Sequence, residues 1–178
     1  YEVRVELCRD YDVCAIVGQH AMAGTVDGNM NHTQSSRAVE YFKLNDIPIG
    51  EIAQTALFFG ALGIPMIYLT GDHAACREAK ELIPGITVAE VKKGLSRSCA
   101  ISLSKEESRG IIQENAKVAL ASHKANPVEP LKWSGPFTLE KRFFTSDLAD
   151  GACGPGWERV DPQTIRRTAE DILEIIYS

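Results

Sequence analysis

Residues 50–72 constrain the fold of this 178-residue chain more than any other stretch. Residues 50–62 carry Ile52, Leu57, Phe58, Phe59 and Leu62 in a run long enough for a helix. Gly63 ends that run, and Pro65 forbids its continuation. Residues 66–69 are then wholly apolar, as a strand covered on both faces would be. Residues 13–18 form a second run of this kind, rich in β-branched residues. After residue 69 comes Thr70-Gly71-Asp72, with Asp72 as the N-cap of a helix over 73–82. Ile86, Val88 and Val91 mark a third strand. Strand and helix thus alternate through the middle of the chain. This predicts an α/β layered domain with a mixed, mostly parallel sheet flanked by helices.

The flanks are read in the same way. Residues 2–7 alternate apolar and polar (Val3, Val5, Leu7), the pattern of a half-buried strand. Strands are also expected over 38–44, 96–103 and 137–142. Ser104 with Glu107 is a capping box, and it opens a helix running to about residue 122. Pro127 and Pro130 make 124–133 irregular, and 145–157 reads as a Gly-rich loop. A closing helix is expected over 162–177, with Asp161 as its cap, Pro162 at its first position, and Ile165, Ala169, Ile172 and Ile176 as its stripe. No internal repeat appears. The length suits one domain spanning residues 1–178 with a sizeable core.

Composition excludes several function classes. A net charge of −5 and the absence of a basic stripe argue against a nucleic-acid binder. The longest apolar run, residues 53–69, is broken by Gly60, Gly63 and Pro65, so no membrane span is expected. No secretory signal segment is visible. The five cysteines include no C-x-x-C pair and read as reduced thiols rather than a disulfide framework or zinc ribbon. No Ser-nucleophile elbow, phosphate-binding loop, dinucleotide fingerprint or H-E-x-x-H is present.

The chemistry concentrates in residues 16–51. This stretch holds two of the four histidines, His20 and His32, and ends on Glu51 at the expected helix start. His20 directly follows a buried strand and the Gly18-Gln19 break, and ligands gather beyond the carboxyl ends of strands in open α/β sheets. The same position would serve a histidine that only bonds a loop carbonyl. His32 lies in a loop rich in Gly and Asn, where exposed histidines are common. Glu51 would also stabilise a helix N-terminus simply by its charge. His73, in the first turn of a helix, and His123, at a helix end, are assigned no role. Spacing alone leaves a cluster of two histidines and one carboxylate, the donor types from which hydrolytic metal sites are built.

From Gly18 onward the chain resembles the zinc-dependent D-aminopeptidase family. The resemblance rests on G-Q-H-A-M-A-G-T at 18–25, N-H-T at 31–33, N-D-I-P-I-G-E at 45–51 and G-I-P-M-I-Y-L-T-G-D at 63–72. E-A-K-E-L-I-P at 78–84 and V-K-K-G-L-S-R-S at 91–98 extend it. It is carried from about residue 10 to residue 120 and extends to the C-terminal segment. The resemblance implies a binuclear zinc centre that hydrolyses the N-terminal peptide bond of short D-amino-acid peptides. His20 and Glu51 match metal ligands of the family, and His32 matches a catalytic histidine beside the metals. The implied setting is a cytoplasmic homo-oligomer, a decameric ring, with a short peptide substrate.

Some family features are missing. The family's Asp-x-Glu pair on its first strand and a further ligand histidine are not found in these residues. Thr55 stands where an asparagine is expected, and His73 where an acidic residue is. The chain opens at Tyr1 without a methionine, and it is therefore read as the C-terminal two-thirds of a longer enzyme. The competing expectation is a non-catalytic α/β subunit, oligomerising or binding a small molecule, with an incomplete metal site.

Overall fold

Two β-sheets pack on opposite faces of one buried helix in the computed structural model, which describes residues 2–8 and 10–178. In chain order the elements begin with α1 (Glu2–Cys8), β1 (Cys14–Gln19), β2 (Val39–Leu44), β3 (Ile47–Ile49) and α2 (Glu51–Ala61). β4 (Met66–Asp72), α3 (His73–Leu82), β5 (Thr87–Ser96), β6 (Cys99–Ser102) and α4 (Lys105–Ala125) follow. The last are β7 (Phe137–Phe143), α5 (Ser146–Ala152), β8 (Glu158–Asp161), β9 (Thr164–Ala169) and α6 (Ile172–Ile175).

The first sheet has the order β1-β4-β5-β6, with β1, β4 and β5 parallel and β6 antiparallel at one edge. It is the mixed, mostly parallel sheet that the alternating pattern predicts. β4 is buried along its whole length, as its unbroken apolar run requires. β1 is not: it is an edge strand, and Val17 is 68% exposed. Asp72 caps α3 by accepting the Ala75 N–H at 2.8 Å. Ser104 and Glu107 form the expected reciprocal capping box on α4.

The second sheet, β3-β2-β7-β9-β8, is antiparallel throughout. α2 lies between the two cores. Ile52 and Ala56 face the first, while Ala53, Leu57 and Phe58 face the second. A helix apolar on nearly every side is one buried on nearly every side.

Besides the exposure of β1, three expectations are corrected. Residues 2–7 are not a strand: they lie in α1, where Val5 and Cys8 pack on the core at helical spacing while Leu7 is 67% exposed. Residues 145–157 are not only loop, because Thr145 accepts the Leu148 N–H and caps α5, which buries Ala149. The closing helix is the largest miss. Residues 158–169 form the β8–β9 hairpin, and only α6 is helical. Ile165 and Ala169 are four apart, an even number, so they share a strand face as readily as a helix face. Asp161, expected as a helix cap, instead holds the hairpin turn by accepting the Gln163 N–H at 2.8 Å.

Candidate metal centre

Gly18 sets the direction of the first ligand candidate. Its φ of 78° is left-handed backbone that glycine adopts without strain, and its N–H donates to Thr70 Oγ1 on β4 at 2.8 Å. The chain leaves β1 there and carries His20 beyond the carboxyl ends of the parallel strands. Gly71 on β4 permits the close approach, since a Cβ there would stand 2.3 Å from the Gln19 carbonyl oxygen. A cavity of about 240 Å³ opens beside His20, lined also by Asn29, Met30, Asp72 and Lys92. The site therefore sits where open parallel sheets place their ligands.

The loop after His20 is irregular but well tied down. Asp27 pairs with Arg77 of α3 through two bonds of 2.7 and 2.8 Å, and this guanidinium holds the Asp27 carboxyl down to about 2. Asp72, already the cap of α3, also accepts the Asn29 N–H at 2.6 Å. Arg97, in the turn between β5 and β6, accepts from Met30 N–H at 2.7 Å through its carbonyl and donates to the Asn31 carbonyl at 3.2 Å. These anchors bring His32 back over His20: the two rings stack with centroids 3.8 Å apart.

Each imidazole is oriented by its own loop. His20 Nδ1 lies 3.1 Å from the Ala21 carbonyl oxygen and His32 Nδ1 lies 2.7 Å from that of Met30. A carbonyl only accepts, so in the neutral rings Nδ1 carries the hydrogen and Nε2 the lone pair. His20 Nε2 points toward Glu51, 3.9 Å from its Oε1.

Glu51 opens α2, whose N-cap Gly50 supplies no side-chain cap. Its Oε1 accepts the Gln34 N–H at 2.6 Å, whereas its Oε2 is buried with no hydrogen-bond partner. Gln34 has a φ of 60° and is held by its side chain, which donates to Gln54 Oε1 at 2.7 Å. Gln54 is 1% exposed and donates in turn to the Ile176 carbonyl at 2.9 Å. The C-terminal segment thereby fixes which oxygen of Glu51 is left bare.

His20, His32 and Glu51 each offer one atom to a group lying within 4.8 Å of one another. This is the one cluster of three or more His, Cys, Asp or Glu among the described residues with metal-binding spacing. An imidazole lone pair and a carboxylate fit a divalent ion that takes N and O ligands, zinc among them, with a second imidazole lone pair close beside them.

The other titratable groups are placed elsewhere. His73 pairs with Glu90 at 2.9 Å, and His123 accepts the Val128 N–H at 3.0 Å. Thr55 meets the Tyr177 hydroxyl at 3.2 Å. The cysteines are unpaired, and burial pushes the Cys14 thiol up to about 11 and that of Cys76 to about 12. Sequence reasoning missed Gln34, Gln54 and Arg77. Gln54 did leave a signal, as a polar side chain on a buried face of an apolar helix.

Comparison with known proteins identifies the family and the fold. The family profile described as D-aminopeptidase matches residues 4–178. The chain belongs to the D-aminopeptidase family. A D-aminopeptidase of Bacillus subtilis (strain 168) is 34% identical over 160 residues, which are 89% of this chain and 57% of that protein. The solved structure of DppA from Bacillus subtilis, a Zn-dependent D-aminopeptidase and self-compartmentalizing protease, superposes with a TM-score of 0.86 at 32% identity. That match covers 95% of this chain and 61% of DppA. The chain thus spans about three-fifths of the length of these relatives.

Proposed function

We propose that this chain carries part of the active centre of a zinc-dependent aminopeptidase that hydrolyses the N-terminal bond of short D-amino-acid peptides. The observation that carries the reading is the gathering of His20, His32 and Glu51, with one donor atom of each within 4.8 Å of the others and both imidazole Nδ1 atoms already engaged. His20, through Nε2, and Glu51, through its carboxylate, are the ligands in this reading. Zinc bound there supplies Lewis acidity, lowering the pKa of a water and polarising the scissile carbonyl.

His32 is the proton carrier. The Met30 carbonyl holds its Nδ1–H, so its Nε2 is free to take a proton as the water oxygen adds to the carbonyl carbon. The same atom returns the proton to the amine nitrogen as the C–N bond breaks. Stacking on His20 keeps the ring from swinging away between the two transfers. Gln34 and Gln54 hold the Glu51 carboxylate in one orientation.

The zinc dependence and self-compartmentalization of DppA support the choice of metal and assembly into a homo-oligomeric ring. Two zinc ions per site would need ligands beyond these three residues. No helix among the described residues is long and apolar enough to cross a membrane. A cytoplasmic setting is part of the same proposal. The D-aminopeptidase relatives favour the catalytic reading over a purely binding or scaffolding subunit.

Two measurements test it. Elemental analysis of chain purified without chelator should find bound zinc; a folded, metal-free protein would sink the metal reading. His32→Ala should lower kcat on a short D-peptide by about 100-fold or more while leaving zinc content nearly unchanged. Retained turnover would remove His32 from the mechanism.

A further inference from the structure

A second acid lies behind the cluster. Glu78, on α3, accepts the Met22 N–H through Oε2 at 2.9 Å, and its Oε1 is buried with no partner. Met22 stands two residues after His20. Gly50, immediately before Glu51, packs against the same point: a Cβ there would lie 2.6 Å from Met22 Cβ and 3.3 Å from Glu78 Oε1. The turn that carries His20 and the residue that launches Glu51 therefore meet on a single carboxyl group.

That carboxyl is held at a disadvantage. Burial is the largest cause of its pKa being raised to about 7, and the Met22 N–H is its one counterweight toward the charged form through a hydrogen bond. A leucine or methionine would fill the space without that penalty. What an apolar residue could not do is accept from Met22. Tolerance at the site is narrow, since metal–ligand distances are fixed to within about 0.2 Å.

We propose that Glu78 is a positioning residue of the metal centre: by clamping the Met22 amide against Gly50, it sets the separation between His20 and Glu51. This rests on the metal reading of the cluster. Glu78 stands outside the group of His20, His32 and Glu51, and it acts through the Met22 amide rather than as a ligand.

The test is equilibrium zinc affinity of the full chain by chelator competition, with circular dichroism to confirm folding. The variants are Glu78→Gln, Glu78→Met and Gly50→Ala, and cobalt spectra of each report ligand geometry. Glu78→Met should weaken zinc binding by about 10- to 100-fold and shift the cobalt spectrum. Glu78→Gln keeps an acceptor for Met22 and should restore most of the affinity and the wild-type spectrum. Gly50→Ala, which pushes on the same contact from the other side, should weaken zinc as well.

A folded Glu78→Met with wild-type affinity overturns the proposal, and so does a Glu78→Gln that loses as much as Glu78→Met. Should Glu78→Met fail to fold, Gly50→Ala decides: wild-type affinity there overturns it. A wild-type chain that takes no zinc overturns the metal reading and this inference with it. Wild-type zinc binding left unchanged by every variant overturns only the inference.

Discussion

The two sheets treat buried charge in opposite ways. Around the first, two carboxylate oxygens, those of Glu51 and Glu78, are buried without a hydrogen-bond partner. On the second, Lys141 is just as awkwardly placed, yet it is well accommodated. Its ammonium lies over the rings of Phe42 and Trp157, at 4.9 and 4.7 Å, and donates to the Ser178 carbonyl. Nearby, Arg142 bonds Glu40 at 2.9 Å and Asp161 at 3.0 Å. One region closes its polar groups on each other, and the other leaves two carboxylate oxygens unpaired. Unmet demand in a buried group is what marks a place for a ligand.

The strongest challenge to this contrast comes from packing. Gly71→Ala forces a Cβ to within 2.3 Å of the Gln19 carbonyl, and Leu139→Ala empties a site in the second core that is 0% exposed. Each should destabilise the chain by about 3 kcal/mol, seen as a lower thermal midpoint. Only Gly71→Ala should also weaken zinc, because only that change displaces the strand end that carries His20. Equal zinc loss in both would show that the site simply follows global stability.

Acid–base linkage gives a middle-sized test, made on metal-free protein. Burial raises Glu78 to about 7 from an ordinary 4.5, so the native state holds a proton that the unfolded state releases. Its contribution is fully present below pH 4.5 and is lost as pH rises to about 7. Burial, then Arg167, lowers Lys141 to about 8 from 10.5, so here the unfolded state holds the extra proton. Stability should therefore rise as pH climbs from about 8 to 10.5. Urea midpoints across pH should flatten in the first window for Glu78→Gln and in the second for Lys141→Met. A slope that survives in either variant assigns it to another group.

The smallest effect is expected from two arginines. Arg77 and its partner Asp27 are each 41% exposed, so Arg77→Ala should cost at most about 1 kcal/mol. Arg142→Ala should cost somewhat more because several bonds go at once. Zinc affinity separates them: it should fall for Arg77→Ala, which frees the loop carrying His32, and hold for Arg142→Ala. The reverse pattern would mean that the loop needs no anchor on α3.

Much of the frame was legible locally. The apolar run of β4, the proline and glycine after α2, the Asp72 cap and the capping box at Ser104 each act over a few residues, and each appears as read. The closing segment was misread because its apolar spacing satisfies two periodicities, and pairing with β7 decided for the strand. The candidate cluster was legible as three residue types at suggestive places, a strand end, a loop and a helix start. The supports of that cluster were not, since a glutamine or glutamate carries no mark of its partner.

Taken alone, the sequence determined the alternation of strand and helix through the middle of the chain, the starts of α2, α3 and α4, and the family to which His20, His32 and Glu51 belong. Tertiary structure decided which oxygen of Glu51 is bare, which nitrogen of each imidazole is free, and that Glu78 holds the turn after His20. Those outcomes depend on hydrogen bonds that span 56 residues to Met22 and 122 residues to Ile176. Such bonds form only between segments that the hydrophobic cores have already brought together, so no local pattern of residues encodes them.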